Sequence, residues 1–269
     1  MTVVDRSRPG EKVAAHQAGG DGVTRVPYPI GVRTLPVVRR TEVTPRMLRL
    51  TLSGESLREL HTYQADDHVR VIVPEPDGTL RAPTPGAGGL LDWPKPPAQS
   101  RCYTIRRLDR QALELDLDFV RHEGGLAADF AERVQVGDRL TLAGPPGSKV
   151  FPHQFGHYVF VVDFTAVPAA ARWLEERPAG ARTSVIAVAG DPTDRDYPLR
   201  TRDGDTVDWL LPAVSLERRL GQIATETDSF VFAAGEAGMV RTVRRWAKET
   251  GLPLLPTGYW KRGVGDFED

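Results

Sequence analysis

The apolar residues change their spacing along the chain, and the change divides it. Residues 1–29 mix Gly, charge and small side chains with no apolar period, which predicts a disordered tail. From Gly31 the pattern is that of strands: 32–40, 47–53, 67–73, 101–106, 112–120 and 138–142. Residues 112–120 alternate apolar and polar side chains without a break, which predicts an antiparallel sheet with one wet face. Residues 83–97 are too rich in Pro and Gly for an element and read as a surface loop containing Trp93. Residues 126–134 have helical spacing after Gly124-Gly125, and Gly144-Pro145-Pro146-Gly147 marks a boundary. Six strands and one short helix over 30–147 make a small antiparallel β-barrel.

Beyond the boundary, over 148–269, strand and helix alternate. Residues 158–162 and 185–188 are continuous apolar runs of the kind buried in parallel sheets, and 230–233 is a third. Helices are predicted over 165–176 and 238–250. The second carries Met239, Val240, Val243, Trp246 and Ala247 on one face and Arg241, Arg244, Arg245 and Lys248 opposite, with Gly251 as its stop. Residues 252–260 are the last strand. This half is an open α/β parallel sheet of nucleotide-binding type.

Composition narrows the chemistry. A chain of 269 residues suits two domains. A net charge of −1 gives no field for nucleic acid. No apolar run reaches the length of a membrane span and the first residues lack the order of a secretory signal, so the expectation is a soluble, cytoplasmic protein. The single cysteine, Cys102, excludes an internal disulfide and a cysteine-ligated zinc or iron–sulfur site within one chain. His61, His68, His122, His153 and His157 show no paired ligand spacing, so no protein-bound metal is expected. An organic cofactor would have to carry any electrons.

Arg101-Cys102-Tyr103-Thr104-Ile105-Arg106 has the right chemistry for one. On a strand Arg101 and Tyr103 project to the same side. A guanidinium can fork onto a pyrophosphate while a phenol ring covers an isoalloxazine, and FAD contains both groups. Thr104 can offer its N–H or hydroxyl to the flavin N5. The alternative is an ordinary barrel strand with a surface Arg and a half-buried Tyr. The start of the helix at Gly124-Gly125 is a place where a phosphate can sit on unpaired N–H groups.

Seven short runs, in order, carry a resemblance. They are Asp66-Asp67-His68-Val69; Arg101-x-Tyr103-Thr104-x-Arg106; Asp118-Phe119-Val120-Arg121-His122; Gly137-Asp138 with Ala143-Gly144-Pro145; Asp163-x-Thr165-Ala166-x-Pro168-Ala169; Ala233-Ala234-Gly235-Glu236; and Gly258-Tyr259-Trp260-x-Arg262-Gly263. With these the chain resembles the siderophore-interacting protein family from about Gly31 to Gly263. These are flavin-dependent ferric-siderophore reductases built like ferredoxin–NADP reductases. The resemblance implies an FAD-binding barrel followed by a domain for NADPH or NADH. It implies that Arg101, Tyr103, Thr104, Asp118, Val120, His122, Ala127 and Ala128 hold FAD. Asp163, Thr165, Ala166, Gly235, Glu236 and Tyr259 would serve the nucleotide or the flavin. Tyr103, Thr104 and Trp260 would border the reacting atoms, and Lys261 and Arg262 would receive an anionic ferric siderophore.

Three departures from the family pattern stand out. Phe164 occupies a position that is acidic in the family, the turn after His122 lacks its usual Pro, and the chain ends six residues after Gly263. Asp191, Asp194 and Asp196 would repel a 2′-phosphate, whereas Arg195 and Arg200 would bind one, so NADH and NADPH both remain open. The expectation is a monomeric reductase passing electrons from NAD(P)H through FAD to a ferric siderophore. The alternatives are a ferredoxin-dependent or other-acceptor reductase, and a siderophore-binding module without turnover.

Overall fold

The computed structural model describes residues 4–122, 124–223, 227–264 and 267. They fall into two units: the chain up to His16 with Thr24–Val150, and Gln17–Val23 with the chain from Phe151 onward.

The first unit contains, in order, α1 (Pro9–Gly19) as far as His16, β1 (Thr24–Pro27), β2 (Val32–Thr44), β3 (Met47–Ser53), β4 (His68–Ile72), β5 (Thr84–Pro85), β6 (Leu91–Asp92), β7 (Ser100–Asp109), β8 (Glu114–Val120), α2 (Leu126–Arg133), β9 (Arg139–Ala143) and β10 (Gly147–Val150). Six of these strands close into an antiparallel barrel in the order β2-β3-β8-β7-β4-β9. Alternate residues fill it: Leu48, Leu50 and Leu52 of β3, Val69 and Val71 of β4, Leu115, Leu117 and Phe119 of β8. Closure abolishes the open edges that a flat sheet of this size would expose.

Two expectations need correction here. The tail is not disordered: α1 lays Val13 against Val26, Tyr28 and Val150, and β1 pairs antiparallel with β10. Its few apolar residues have no local period because they are ordered by a strand more than 120 residues away, from Thr24 to Val150. That pairing also draws β10 into the first unit, which ends at Val150, not at 147. Secondly, β8 has no wet face. Asp116 and Asp118 alternate outward as expected, yet both are buried. Asp116 accepts hydrogen bonds from Thr51 Oγ1 and Arg107 Nε, each at 2.7 Å, and Asp118 accepts a fork from Arg49 at 2.6 and 2.7 Å. Neighbouring strands thus cover the outer face with cations.

The second unit contains β11 (His157–Asp163), α3 (Val167–Glu176), β12 (Arg182–Val188), β13 (Thr206–Leu210), α4 (Leu216–Leu220), β14 (Ser229–Glu236), α5 (Ala237–Thr250) and β15 (Leu254–Trp260). The strands form one parallel sheet in the order β13-β12-β11-β14-β15. All seven residues of β11 are buried, as the central strand of a doubly covered sheet requires. Chain order reverses between β11 and β14, so the crevice beyond the carboxyl ends of these two strands is where such a sheet takes a ligand. The sequence pattern does not disclose β13 or α4: β13 is a five-residue edge strand with four residues only partly buried or exposed, so its alternation is weak. On α5 the expected face is inward, with Val240, Val243 and Ala247 buried and Trp246 packed at the margin of the core.

Candidate functional site

In the first unit, β7 carries Arg101, Tyr103 and Thr104, and α2 opens with Ala127 and Ala128 near its start. Tyr103 packs on the barrel core with its ring 4.1 Å from that of Phe119, and burial pushes its phenol pKa up. Arg101 lies on the same face two residues earlier and is half-buried. Thr104 is buried on the opposite side. At α2, Gly125 is the N-cap and no side chain caps the helix, which leaves the first N–H groups, including those of Ala127 and Ala128, open to an anion. The His122 ring folds over this turn: a Cβ on Gly125 would lie 2.1 Å from His122 Nε2. His122 Nδ1 is 3.1 Å from the carbonyl oxygen of Val120. Gln64 Nε2 and Asp66 Oδ1, just before β4, are buried with no partner among the described residues. A cation, an aromatic ring and an uncapped helix start fit FAD. Asp118 differs in character from the rest, because its carboxylate is the barrel-wall partner of Arg49.

The outer face of β4 and β7 holds a groove of about 340 Å³ lined by residues that include His68, Arg70, Trp93 and Cys102. Cys102 pairs opposite Arg70 and Thr104 opposite His68, so Cys102, Arg70 and His68 share one face of the strand pair. The Arg70 guanidinium lies 5.8 Å from the centre of the Trp93 ring. Burial alone would lower the His68 pKa, but a hydrogen bond and charge from Cys102 and the charge of Asp66 reverse this and raise it to about 9. Asp66 itself is raised to about 6 by burial and by the charge of Asp67. The sequence pattern gives His68 no ligand partner and places Trp93 in a surface loop. The signal was present in the His68-x-Arg70 alternation, but what they face depends on the loop.

In the second unit the expected residues converge at the sheet's carboxyl edge. Asp163, the last residue of β11, is the hub. Its Oδ1 accepts from the Thr165 N–H at 2.9 Å and the Thr165 hydroxyl at 2.6 Å. Its Oδ2 accepts from the Glu236 N–H and the Trp260 indole N–H, both at 2.7 Å. Burial pushes its pKa up while these donors oppose the rise. Gly235 has φ +134° and passes so close that a Cβ would be 2.4 Å from the Asp163 carboxyl carbon, so only glycine fits. Glu236 caps α5 by accepting from Gly238 and Met239 N–H at 2.6 and 3.1 Å, and the Arg262 N–H reaches its other oxygen at 3.4 Å. Burial would raise Glu236; these N–H donors and the charge of Arg241 bring it below its ordinary value. Ala166 is the buried N-cap of α3. Phe164 is buried and meets the Tyr197 ring edge-on, so the residue at the family's acidic position serves the core. Tyr259 is half-buried, and Lys261 and Arg262 are exposed beyond β15.

Models of two protein families match the two halves: a siderophore-interacting FAD-binding domain over residues 36–149, and siderophore-interacting protein over 155–263. The chain is 33% identical over 245 residues to the NADPH-dependent ferric-chelate reductase of Escherichia coli, covering 88% of this chain and 95% of that protein. The chain belongs to the siderophore-interacting protein family. Within the family it is also 29% identical to the ferric vibriobactin reductase of Vibrio cholerae, over 87% of this chain and 91% of that one. The crystal structure of a siderophore utilization protein from T. fusca superposes with a TM-score of 0.84 at 34% identity, covering 91% of this chain and 98% of that one. The barrel and parallel sheet expected from the family resemblance are therefore the fold found.

Proposed function

We propose that this siderophore-interacting protein is an FAD-containing oxidoreductase that passes electrons from NAD(P)H to a ferric siderophore. The observation that carries the reading is that Arg101 and Tyr103 share one face of β7, in a unit whose helix α2 starts with no side-chain cap. FAD, when bound, takes a hydride from a nicotinamide nucleotide and gives up its electrons singly. The chain supplies the rest. Arg101 and the N–H groups of Ala127 and Ala128 would hold the pyrophosphate, and Tyr103 and Thr104 would hold the isoalloxazine. Asp163 fixes the turn at Thr165 and the start of α5 at the switch point, so that Ala166, Gly235 and Glu236 are held for the nucleotide.

Reduction of the ferric chelate needs no general acid or nucleophile, since electron transfer asks for proximity and charge. Arg70 and a protonated His68 beside the Trp93 indole suit an anion with planar, aromatic parts. Lys261 and Arg262 add exposed positive charge at the end of β15. The reading has the protein act as a monomer in the cytoplasm, where reduced nicotinamide nucleotides are made. No helix among the described residues is long and apolar enough to cross a membrane.

The test is an anaerobic visible spectrum of the purified protein, before and after NADH or NADPH and again after a ferric siderophore. Flavin absorption that bleaches with a nucleotide and returns with the ferric chelate supports the reading and names the donor. Flavin that ignores both nucleotides transfers the donor role to a protein such as a ferredoxin. Colourless protein that binds siderophore and takes up no added FAD refutes it. Arg101→Ala is expected to lower the ratio of bound flavin to protein, and an unchanged ratio removes the residue from the FAD site.

A further inference from the structure

We infer that Cys102 and His68 form a modification site for hydrogen peroxide, set in the groove on the outer face of β4 and β7. Cys102 is exposed and is the one cysteine of the sequence. It lies on the same face of the β4–β7 pair as His68, and both side chains line the groove. His68 Nδ1 in turn lies 3.4 Å from the Asp66 carbonyl oxygen, which orients the ring. Arg70, opposite Cys102 in the strand register, places a second cation on the same face. Asp66, with an unpaired buried carboxyl oxygen, adds negative charge behind the ring. A thiol between two cations, open to solvent through a groove, is the setting in which the thiolate is favoured and reachable. The rest of the groove is apolar or aromatic, with Ile30, Leu90, Leu91 and Trp93, so a small neutral peroxide enters without opposition.

The step balances without a metal. The Cys102 sulfur attacks one peroxide oxygen, the O–O bond breaks and an S–O bond forms. The leaving hydroxide takes the proton of the His68 imidazolium and departs as water. Sulfur loses two electrons and the peroxide gains them, leaving a sulfenic acid at Cys102 and a neutral His68. The sequence holds no second cysteine to resolve it, so a small external thiol does so, forming a mixed disulfide and water; a second equivalent of that thiol restores Cys102. The mixed disulfide places an additional residue-sized group inside a groove of about 340 Å³. On the reading that this groove receives the ferric chelate, the modification closes it. Iron(II) and peroxide together generate hydroxyl radical, and a reductase silenced by peroxide stops supplying one of the two.

The experiment uses oxidised, FAD-loaded full-length protein with hydrogen peroxide and a sulfenic-acid trap such as dimedone, reading the Cys102 peptide by mass spectrometry. Trapping at Cys102 is expected on the order of tenfold faster than at N-acetylcysteine, and slower by a similar factor in His68→Gln and His68→Asn. A wild-type rate equal to that of N-acetylcysteine, or a rate unchanged in whichever His68 variant folds, overturns the site. A second arm treats the protein with peroxide and then a small thiol, and compares ferric-chelate reduction before and after. Loss in the wild type that is absent in Cys102→Ser and reversed by excess thiol supports the closure; equal loss in both proteins overturns it. Protein that is trapped at Cys102 yet reduces no ferric chelate refutes the reductase reading while leaving the thiol chemistry standing.

Discussion

The indole N–H of Trp260 donates to the carboxylate of Asp163 at 2.7 Å, joining the last residue of β15 to the last residue of β11 across 97 positions of sequence. The bond crosses β14, which lies between those strands in the sheet, and it meets there the Glu236 N–H that shares the same oxygen. One buried carboxylate therefore holds three strand ends in register at the switch point.

Trp260→Phe keeps the ring and removes the donor. Asp163 then has one hydrogen bond fewer in a buried site, and the variant is expected to lose about 1–3 kcal/mol of stability, read by urea denaturation with flavin present and absent. Asp163→Asn in the same background is expected to add less than it does in the wild type, because both changes act on one network. Additive effects would mean that the bond carries no weight.

Gly235→Ala is expected to be more damaging than its size suggests. The residue sits at φ +134°, and the new methyl would meet the Asp163 carboxyl. A loss of about 1–3 kcal/mol follows for strain alone. A higher KM for the nucleotide with unchanged flavin content is the functional sign, measured by steady-state assay and absorption spectrum. A fully stable variant would show that the turn relaxes more freely than its geometry implies.

Arg49 of β3 reaches the carboxylate of Asp118, whose side chain is wholly buried, on the neighbouring strand β8. Arg49→Ala takes the forked guanidinium away from a buried carboxylate and is expected to cost about 3–5 kcal/mol, whereas replacing both residues by apolar ones of similar volume restores much of that. Thermal melts of the single and double variants decide it.

Two histidines push the pH dependence of stability in opposite directions. Burial lowers His153 to about 4 from an ordinary value of 6.5. The unfolded chain binds its proton first, so stability is complete above 6.5 and declines as pH falls toward 4. His68, raised to about 9, contributes stability that is complete below 6.5 and is lost as pH rises through 9. Denaturation curves across pH 5 to 10 are expected to flatten on the acid side in His153→Phe and on the alkaline side in His68→Gln. An acid limb unaltered by His153→Phe would assign it to the carboxylates.

Much of this was legible because it is local. Strand β7 announces itself in Arg101 to Arg106, and Phe230 to Ala233 reads as a buried strand with no help from its neighbours. Asp163, Gly235 and Glu236 were locatable because each ends an apolar run. The tail was misread for the converse reason: Val13 and Tyr28 make sense only against Val150. The wet face assigned to β8 failed likewise, since Asp116 and Asp118 are covered by Arg107 and Arg49 from other strands. His68, Arg70 and Cys102 could be placed on strands, yet the groove they share with Trp93 forms only once residues 83–97 fold back.

Sequence by itself thus determined the two-part architecture, the strand that carries Arg101 and Tyr103 and the strand ends at Asp163 and Glu236, because periodicity and burial are properties of short segments. Only the tertiary structure decided what those ends hold. The Asp163 hub, the Cys102–His68 pair and the order of the tail depend on which distant segments meet when a barrel closes and a sheet reverses its order. Those meetings are fixed by burial summed over the whole fold, and no short window of sequence contains them.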